Sequence, residues 1–391
     1  MGTEKLLITP EVMENVEQTK VIPIVSERDE EGKEFLPVFL KSRIYIDLSN
    51  ELNFEENYEK LVRIIENAPL YRRPPVGKRR VFEDQESINN YRTANIVRQM
   101  NNVINSNLQR LKPLSVDFKR AFLEDLEQLK LSDNDFDKNE IDEAIMGKLN
   151  SSIPIRDSYI EVVKILSDND KIDSDWIIDI FEQMYSFTDF HDSGYNDMQN
   201  DQFKFLIQEL FLYTCTILSK EAKYDVLSEL TSTVFLFQLR SNSIEGTFTS
   251  LVFYLPSFER RNDRLNLRKV SFPAHIIMER VNGKFFSKQE ILDCDLLLFY
   301  LSSLKLKEEE RWFPTTYIYR HYREAVKILF RLKSKRNAER LLSLFGVANI
   351  NELKKIIESY VHDDNYRYRN SHYGVPSIFA YIKPEDIAIN P

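Results

Sequence analysis

Glycine is scarce in this chain: only nine of its 391 residues are Gly. No two of them stand two apart, so the chain has neither a dinucleotide fingerprint nor a phosphate-cradling P-loop. GxSxG, HExxH and CxxC are absent as well, which removes the nucleophile elbow, the zincin helix and the dithiol redox site. The two cysteines, Cys215 and Cys294, each sit inside an apolar helical pattern and read as buried free thiols of a reducing compartment. Long apolar runs are missing too. DLLLFYLSSL at 295–304 falls well short of the ~20 residues that span a bilayer. No N-terminal stretch has the form of a signal peptide. The expected compartment is the cytoplasm, with no membrane partner.

What is present points to helices. Leu, Ile, Lys and Glu are abundant, and 26 Phe and 19 Tyr promise aromatic-rich packing. The net charge of −9 favours solubility. It is uneven: residues 251–345 carry about +8, which leaves about −17 elsewhere, so an acidic average does not exclude an anionic ligand on the C-terminal half.

The chain divides by pattern. In residues 1–70, β-branched runs at 20–25 and 43–48 read as strands, and each precedes or follows a helical stretch. FEENYEKLVRII places Phe54, Tyr58, Leu61, Val62 and Ile65 on one helical face. Strand and helix at this spacing suit a parallel α/β unit, although two strands leave one sheet face short of a cover. YRRPPVGKRRVFED reads as a solvated, Pro-stiffened linker at 71–85. Residues 86–243 read as a helical domain, with helices over 86–111, 115–130, 138–149, 155–167, 174–187, 200–219 and 221–240. Lys112-Pro113 is read as a break and Ser174 as an N-cap. Residues 244–391 are mainly helical. IEGTFTSLVFYLP is strand or buried helix, and Val281-Asn282-Gly283-Lys284 suits a tight hairpin turn. Ser287 with Glu290 forms a capping box for a helix through Leu306, and further helices are expected at 315–333, 334–345 and 350–362.

Two acidic stretches imitate metal sites and fail. DNDFDKNE has Lys138 where a calcium loop turns on Gly, and Ala144 where its bidentate Glu belongs. TDFHDSGYND gathers Asp189, His191, Asp192 and Asp197 around Gly194 without helical spacing to hold them. No metal is expected. The basic stretch YIYRHYREAVKILFRLKSKR is more informative. On a helix over 315–333, Arg320, Arg323, Lys327 and Arg331 share one face. With Arg260, Arg261, Arg264 and Arg268 they form a candidate phosphate or nucleic-acid surface. The competing reading pairs that face with the acidic helices at 115–145, as a solvated or bridging charge column.

The strand VIPIV, the segment LPVFLKSRIYIDLS, the helix FEENYEKLVRIIENAP and the exit LYRRPPVGKR occur in that order. Together they resemble the C-terminal half of a bacterial Toll/interleukin-1 receptor (TIR) domain. The resemblance covers about the first 80 residues. It implies a flavodoxin-like half-domain and self-association through TIR contacts; the large helical region behind it is expected to sense a protein or nucleic-acid trigger or to provide the self-association itself. Many bacterial TIR proteins are immune effectors that cleave the nicotinamide–ribose bond of NAD with a Glu. GTE places Glu4 about where that Glu falls. NAD is then a substrate and no cofactor is implied.

The family's first strand, its nicotinamide-lining loop and the helices before Glu4 have no counterpart here, so a truncated and inactive TIR unit is expected. The alternative is a non-catalytic helical module that binds a protein, nucleotide or nucleic acid. A carboxylate without the pocket that orients substrate and excludes water does not turn over NAD. Incubation with NAD should therefore release no nicotinamide. Release that disappears in Glu4→Gln would overturn this expectation.

Overall fold

The computed structural model describes residues 22–37, 40, 44–50, 53–66, 88–132, 141–189, 196–321, 324–363, 366–369 and 371–391. Glu4, the 71–85 linker, the DNDFDKNE loop, His191, Asp192 and Arg323 lie outside them. The chain is mainly helical, with fourteen α-helices and two small sheets among the described residues. None of these helices is long and apolar enough to cross a membrane. The chain forms two compact units, Met1–Glu83 and Asp84–Pro391.

In the first unit, β1 (Ile24–Val25) and β2 (Ile46–Asp47) pair in parallel, with Ile24 opposite Ile46. Val25 and Ile46 are buried, whereas Ile24 and Ile44 are exposed. Arg28 ties the end of β2 down. Its Nη2 donates to Asp47 Oδ2 at 2.5 Å and its Nε to Ser49 Oγ at 3.1 Å. Hydrogen bonds from Ser49 and Arg28 hold the Asp47 carboxyl down at about 2. Helix α1 (Phe54–Ile65) follows. Its Asn57 side chain reaches the Asp47 carbonyl and Leu61 is half-buried, but Phe54, Tyr58, Val62 and Ile65 are exposed.

In the second unit, α2 (Tyr91–Val103) and α3 (Leu111–Leu126) pack together. Helix α3 begins before Pro113 instead of breaking there. Pro113 falls in the first turn, where a backbone N–H has no intrahelical acceptor to lose. Helices α4 (Ile141–Ser151), α5 (Ile153–Asp168) and α6 (Ser174–Tyr185) follow at the expected places. The N-cap of α6 is Asp173, one residue before the Ser174 assigned from sequence. Its carboxylate accepts the Trp176 N–H at 2.8 Å.

The helix expected over 221–240 is a correction. Helix α7 (Asp201–Lys220) is followed by a short α8 (Tyr224–Leu230) and then by a hairpin, β3 (Phe235–Gln238) with β4 (Ser243–Gly246). Phe235 and Phe237 point inward and Leu236 outward, the period-two alternation of a half-buried strand. Phe237 stacks on Tyr185 at 3.9 Å between ring centroids. The sequence-based boundary at 243/244 falls inside β4. Residues 281–284 turn without flanking strands, with Asn282 accepting the Lys284 N–H at 3.0 Å. The stretch IEGTFTSLVFYLP splits between β4 and a 3-10 turn at Phe248–Leu251.

Helices α9 (Pro256–Arg264), α10 (Phe272–Glu279) and α11 (Lys288–Lys305) complete the centre. The Ser287–Glu290 capping box is formed at the start of α11. The expected 315–333 helix is the second correction. Among the described residues of that stretch, a 3-10 turn stands at Tyr317–Tyr319, residues 324–326 are not helical, and only α12 (Lys327–Arg331) is α-helical. Helices α13 (Lys335–Phe345) and α14 (Ile350–Glu358) close the unit.

One apolar core runs through this unit, with α7 at its centre against α4, α5, α6, α8 and α11. Every α7 residue from Asp201 to Leu218 except Lys204 is buried. A helix apolar on all sides is stable only inside a core, and each polar side chain on it then needs a buried partner. Glu209, fully buried, takes a two-pronged contact from Arg280: Nε to Oε1 at 2.8 Å and Nη2 to Oε2 at 2.9 Å. Arg156 and the Tyr213 hydroxyl also face Oε1. Cys215 and Cys294 are buried free thiols, both pushed up chiefly by burial.

Asp295 on α11 serves the C-terminal segment in the same way. Its Oδ1 accepts Trp312 Nε1 at 2.7 Å; its Oδ2 accepts both the N–H and the hydroxyl of Thr316 at 2.7 Å. Burial pushes this carboxyl up to about 6 in spite of the three donors. Asp295→Asn turns an amide N–H against a donor, and should cost about 2 kcal/mol or more in a denaturant melt. Between the ordinary Asp value and about 6, the folded state holds a proton that the unfolded chain releases. Stability therefore falls as pH rises through that window. The advantage of wild type over Asp295→Asn should narrow from low pH toward pH 6. A difference that widens would refute the raised value.

Candidate functional site

The basic residues selected from sequence do not form a column. Arg320 is buried, with its side chain 1% exposed. Its Nη1 donates to Asp293 Oδ1 at 2.7 Å and its Nη2 to the Glu324 carbonyl at 2.8 Å, while the guanidinium lies over the Tyr381 ring. Asp293 Oδ2 also accepts the Lys327 N–H at 3.0 Å. One carboxylate of α11 therefore receives both the Arg320 side chain and the Lys327 N–H. Arg320 is thus a structural clamp. Arg323 lies outside the described residues.

The second basic group is also largely consumed. Arg264 Nη2 donates to Asp142 Oδ2 and to Glu143 Oε1, each at 2.7 Å, and Arg261 pairs with Glu143 at 2.8 Å. Arg260 lies 3.9 Å from Asp142. This part of the basic set is paired with the acidic α4, whereas Arg320, for which pairing with the helices at 115–145 is the competing expectation, meets Asp293 of α11. Arg268 instead lies in the loop after α9, where its Nε donates to Asn266.

Lys327 and Arg331 remain. They lie on the exposed side of α12 and line a cleft of about 90 Å³. The last turn of α7 contributes Thr216, Ser219 and Lys220; the first turns of α11 contribute Glu290 and Asp293; Ile328 of α12 gives an apolar wall. Three cations, two carboxylates and two hydroxyls thus meet where three helices converge.

The carboxylates of this cleft are already engaged. Glu290 Oε2 accepts the Ser287 N–H at 2.8 Å and lies 3.3 Å from Lys220 Nζ. Burial raises Glu290, but the Ser287 N–H and Lys220 outweigh it and hold its carboxyl below its ordinary value. Asp293 accepts Gln289 at 2.8 Å besides Arg320 and Lys327. Lys220 also donates to the Phe285 carbonyl at 3.0 Å. No ion pair or hydrogen bond engages the side chains of Lys327 and Arg331 among the described residues.

Sequence reasoning therefore found Lys327 and Arg331 but missed Ser219, Lys220, Glu290 and Asp293. The available signal was Asp293 itself, a carboxylate in the apolar run ILDCDLLL that requires a cation from elsewhere in the chain. Among the described residues no group of three or more His, Cys, Asp or Glu side chains is placed to hold a metal. Of the TDFHDSGYND stretch, Asp189 accepts the Arg240 N–H at 2.7 Å and so supports the hairpin. A larger, open groove of about 470 Å³ lies between α3, α6 and β3, lined by Glu124, Glu127, Asp179 and Glu182 over Leu123 and Phe187. Glu124, Glu127 and Asp179 pair with Arg92, Lys130 and Lys119, and Glu182 caps the Leu236 N–H.

No protein-family model matches the chain, and neither a curated protein nor a solved structure matches it.

The division of labour among the basic residues is measurable. Arg320→Ala strands Asp293 in a buried setting and should cost about 3 kcal/mol. Lys327→Ala and Arg331→Ala, on the surface, should each stay within about 0.5 kcal/mol of wild type. Equal costs at all three positions in urea titrations would contradict the clamp assignment.

Proposed function

We propose that the chain is a TIR-type signalling protein of the immune-effector class. Its front unit associates with other copies, and its helical unit senses or assembles without catalysing a reaction. NAD is the substrate class that the reading assigns to an intact TIR fold, with Glu4 as the carboxylate concerned. The observation that carries the reading is the parallel pairing of β1 with β2 followed by α1. That order and direction belong to an open α/β sheet. The exposed stripe Phe54, Tyr58, Val62 and Ile65 supports self-association, because an apolar helix face left in water favours a partner surface.

A second reading, a non-catalytic helical interaction module, is favoured by the second unit. Its strongly shifted acids and thiols, Asp295, Cys215 and Cys294, are buried and hydrogen-bonded or packed in the core. Shifted groups that serve catalysis open onto a cleft.

Sedimentation velocity over a range of concentrations separates the two. The TIR-type reading expects reversible self-association of the full chain that Tyr58→Glu/Val62→Glu abolishes. Association that persists in this variant removes the support that the α1 stripe gives to the TIR-type reading. A monomer at every concentration sinks self-association altogether.

A further inference from the structure

We propose that the cleft between α7, α11 and α12 binds the phosphate group of a small, hydroxyl-bearing phosphate monoester. Lys327 and Arg331 serve as its principal ligands, with Lys220 and the Ser219 hydroxyl beside them. The inference rests on the cleft alone and holds whether or not the chain self-associates.

The first support is charge left over. Exposed cations outside any ion pair are common among the described residues, Arg98, Lys112 and Lys335 for example, but Lys327 and Arg331 differ in lining one cleft together with a third cation, Lys220. Lys327 and Arg331 stand four apart on a helix of five residues, neither in an ion pair among the described residues. Like charges at that spacing repel by a few tenths of a kcal/mol. An anion bound between them removes the repulsion. The usual remedy, a neighbouring carboxylate, is withheld even though Glu290 and Asp293 line the same cleft. Both are turned to other donors.

The second support is the balance of charge. Buried Arg320 neutralises Asp293 from behind. Lys220, Lys327 and Arg331 then face one carboxylate, Glu290, an excess of two positive charges. A phosphate monoester near pH 7 carries about −1.5 to −2. The match is to a dianion, and a carboxylate ligand would leave one charge uncompensated.

The third support is size and polarity. About 90 Å³ takes a single tetrahedral oxyanion and leaves the rest of the ligand outside. Ser219 lines the cleft with the cations, and Glu290, engaged through Oε2, keeps Oε1 as an acceptor for a ligand hydroxyl. One phosphate meets the two-charge excess, so a second gains no attraction there, which disfavours a nucleic-acid backbone. The helix N-termini give no added attraction, since Glu290 caps α11 and Asp293 takes the first N–H of α12. Recognition therefore falls on side chains.

Nucleoside monophosphates and sugar phosphates share this chemistry, and calorimetric titration of the full chain tells them apart. The ligands are AMP, ribose 5-phosphate, inorganic phosphate, adenosine and a single-stranded oligonucleotide, all at matched ionic strength. Saturable binding of AMP or ribose 5-phosphate with none of adenosine is expected, and shows which source is preferred. Binding of inorganic phosphate alone would confirm the anion site but overturn the ester. Lys327→Glu/Arg331→Glu should weaken the monoester by at least about tenfold, as expected for lost charge-assisted hydrogen bonds. The unliganded melting temperature should not change, because both side chains are exposed. Lys327→Arg/Arg331→Lys should retain most of the affinity. Three results would each overturn the proposal: no binding, binding indifferent to the double charge reversal, or salt-steep binding of the oligonucleotide alone.

Discussion

A helix buried on every side has to satisfy its own polar residues, and α7 carries a carboxylate at its middle. The pairing of Glu209 with Arg280 makes that tolerable. Arg280 also donates to the Leu149 carbonyl at 2.7 Å, and Arg156 to the Arg280 carbonyl at 2.9 Å. Asp157 on α5 accepts Arg156 and, through its other oxygen, Asn282. The network thus joins the end of α4, the start of α5, the middle of α7 and the end of α10. Truncating one member leaves the others charged and dry, a loss of about 3–5 kcal/mol in comparable buried pairs. An apolar replacement of the whole set need not cost stability, so its main effect is to fix which helix lies beside which.

The same device recurs one layer out. Asp293 and Asp295 stand two apart on α11, so their side chains leave the helix in different directions. Asp295 collects Trp312 and Thr316, while Asp293 collects Arg320 and Lys327. Between them they hold Trp312, Thr316, Arg320 and the Lys327 N–H. The placement of α12, and hence of the phosphate cleft, follows from those two carboxylates. Loop segments in a packed domain must find acceptors for their N–H groups, and here side chains supply them in place of a helix.

Much of the fold was legible. The helices at 155–167, 174–187 and 200–219 carry long periodic patterns with clear breakers, and each is formed to within a few residues. The capping box at Ser287 and the parallel strands also stand as read. The failures share one cause. In 221–240, apolar density was read as helical, but FLFQ obeys period two and closes a hairpin. In 315–333, cations recur at helical spacing by coincidence. The carboxylate that Arg320 meets, Asp293, lies 27 positions before it. No local window contains that information. The cleft was half legible for the same reason: two of its three cations, Lys327 and Arg331, lie within five residues of each other, whereas Lys220 and the rest of its α7 and α11 walls come from distant sequence.

The uneven charge also takes on a definite meaning. An excess of about +8 over 251–345 suggested a continuous basic surface. In the folded chain part of that excess is spent on acids outside the segment. Arg261 and Arg264 go to α4, Arg280 to Glu209, and Lys333 stands 3.8 Å from Asp386. Lys335, Arg336 and Arg340 are exposed on α13 but do not line the cleft. A polyanion track needs cations at regular intervals along a path. Here the chain instead keeps two adjacent cations unpaired beside a third, in a space that admits one tetrahedral group. Local charge left over after internal pairing, and not the summed charge of a segment, decides what such a surface attracts.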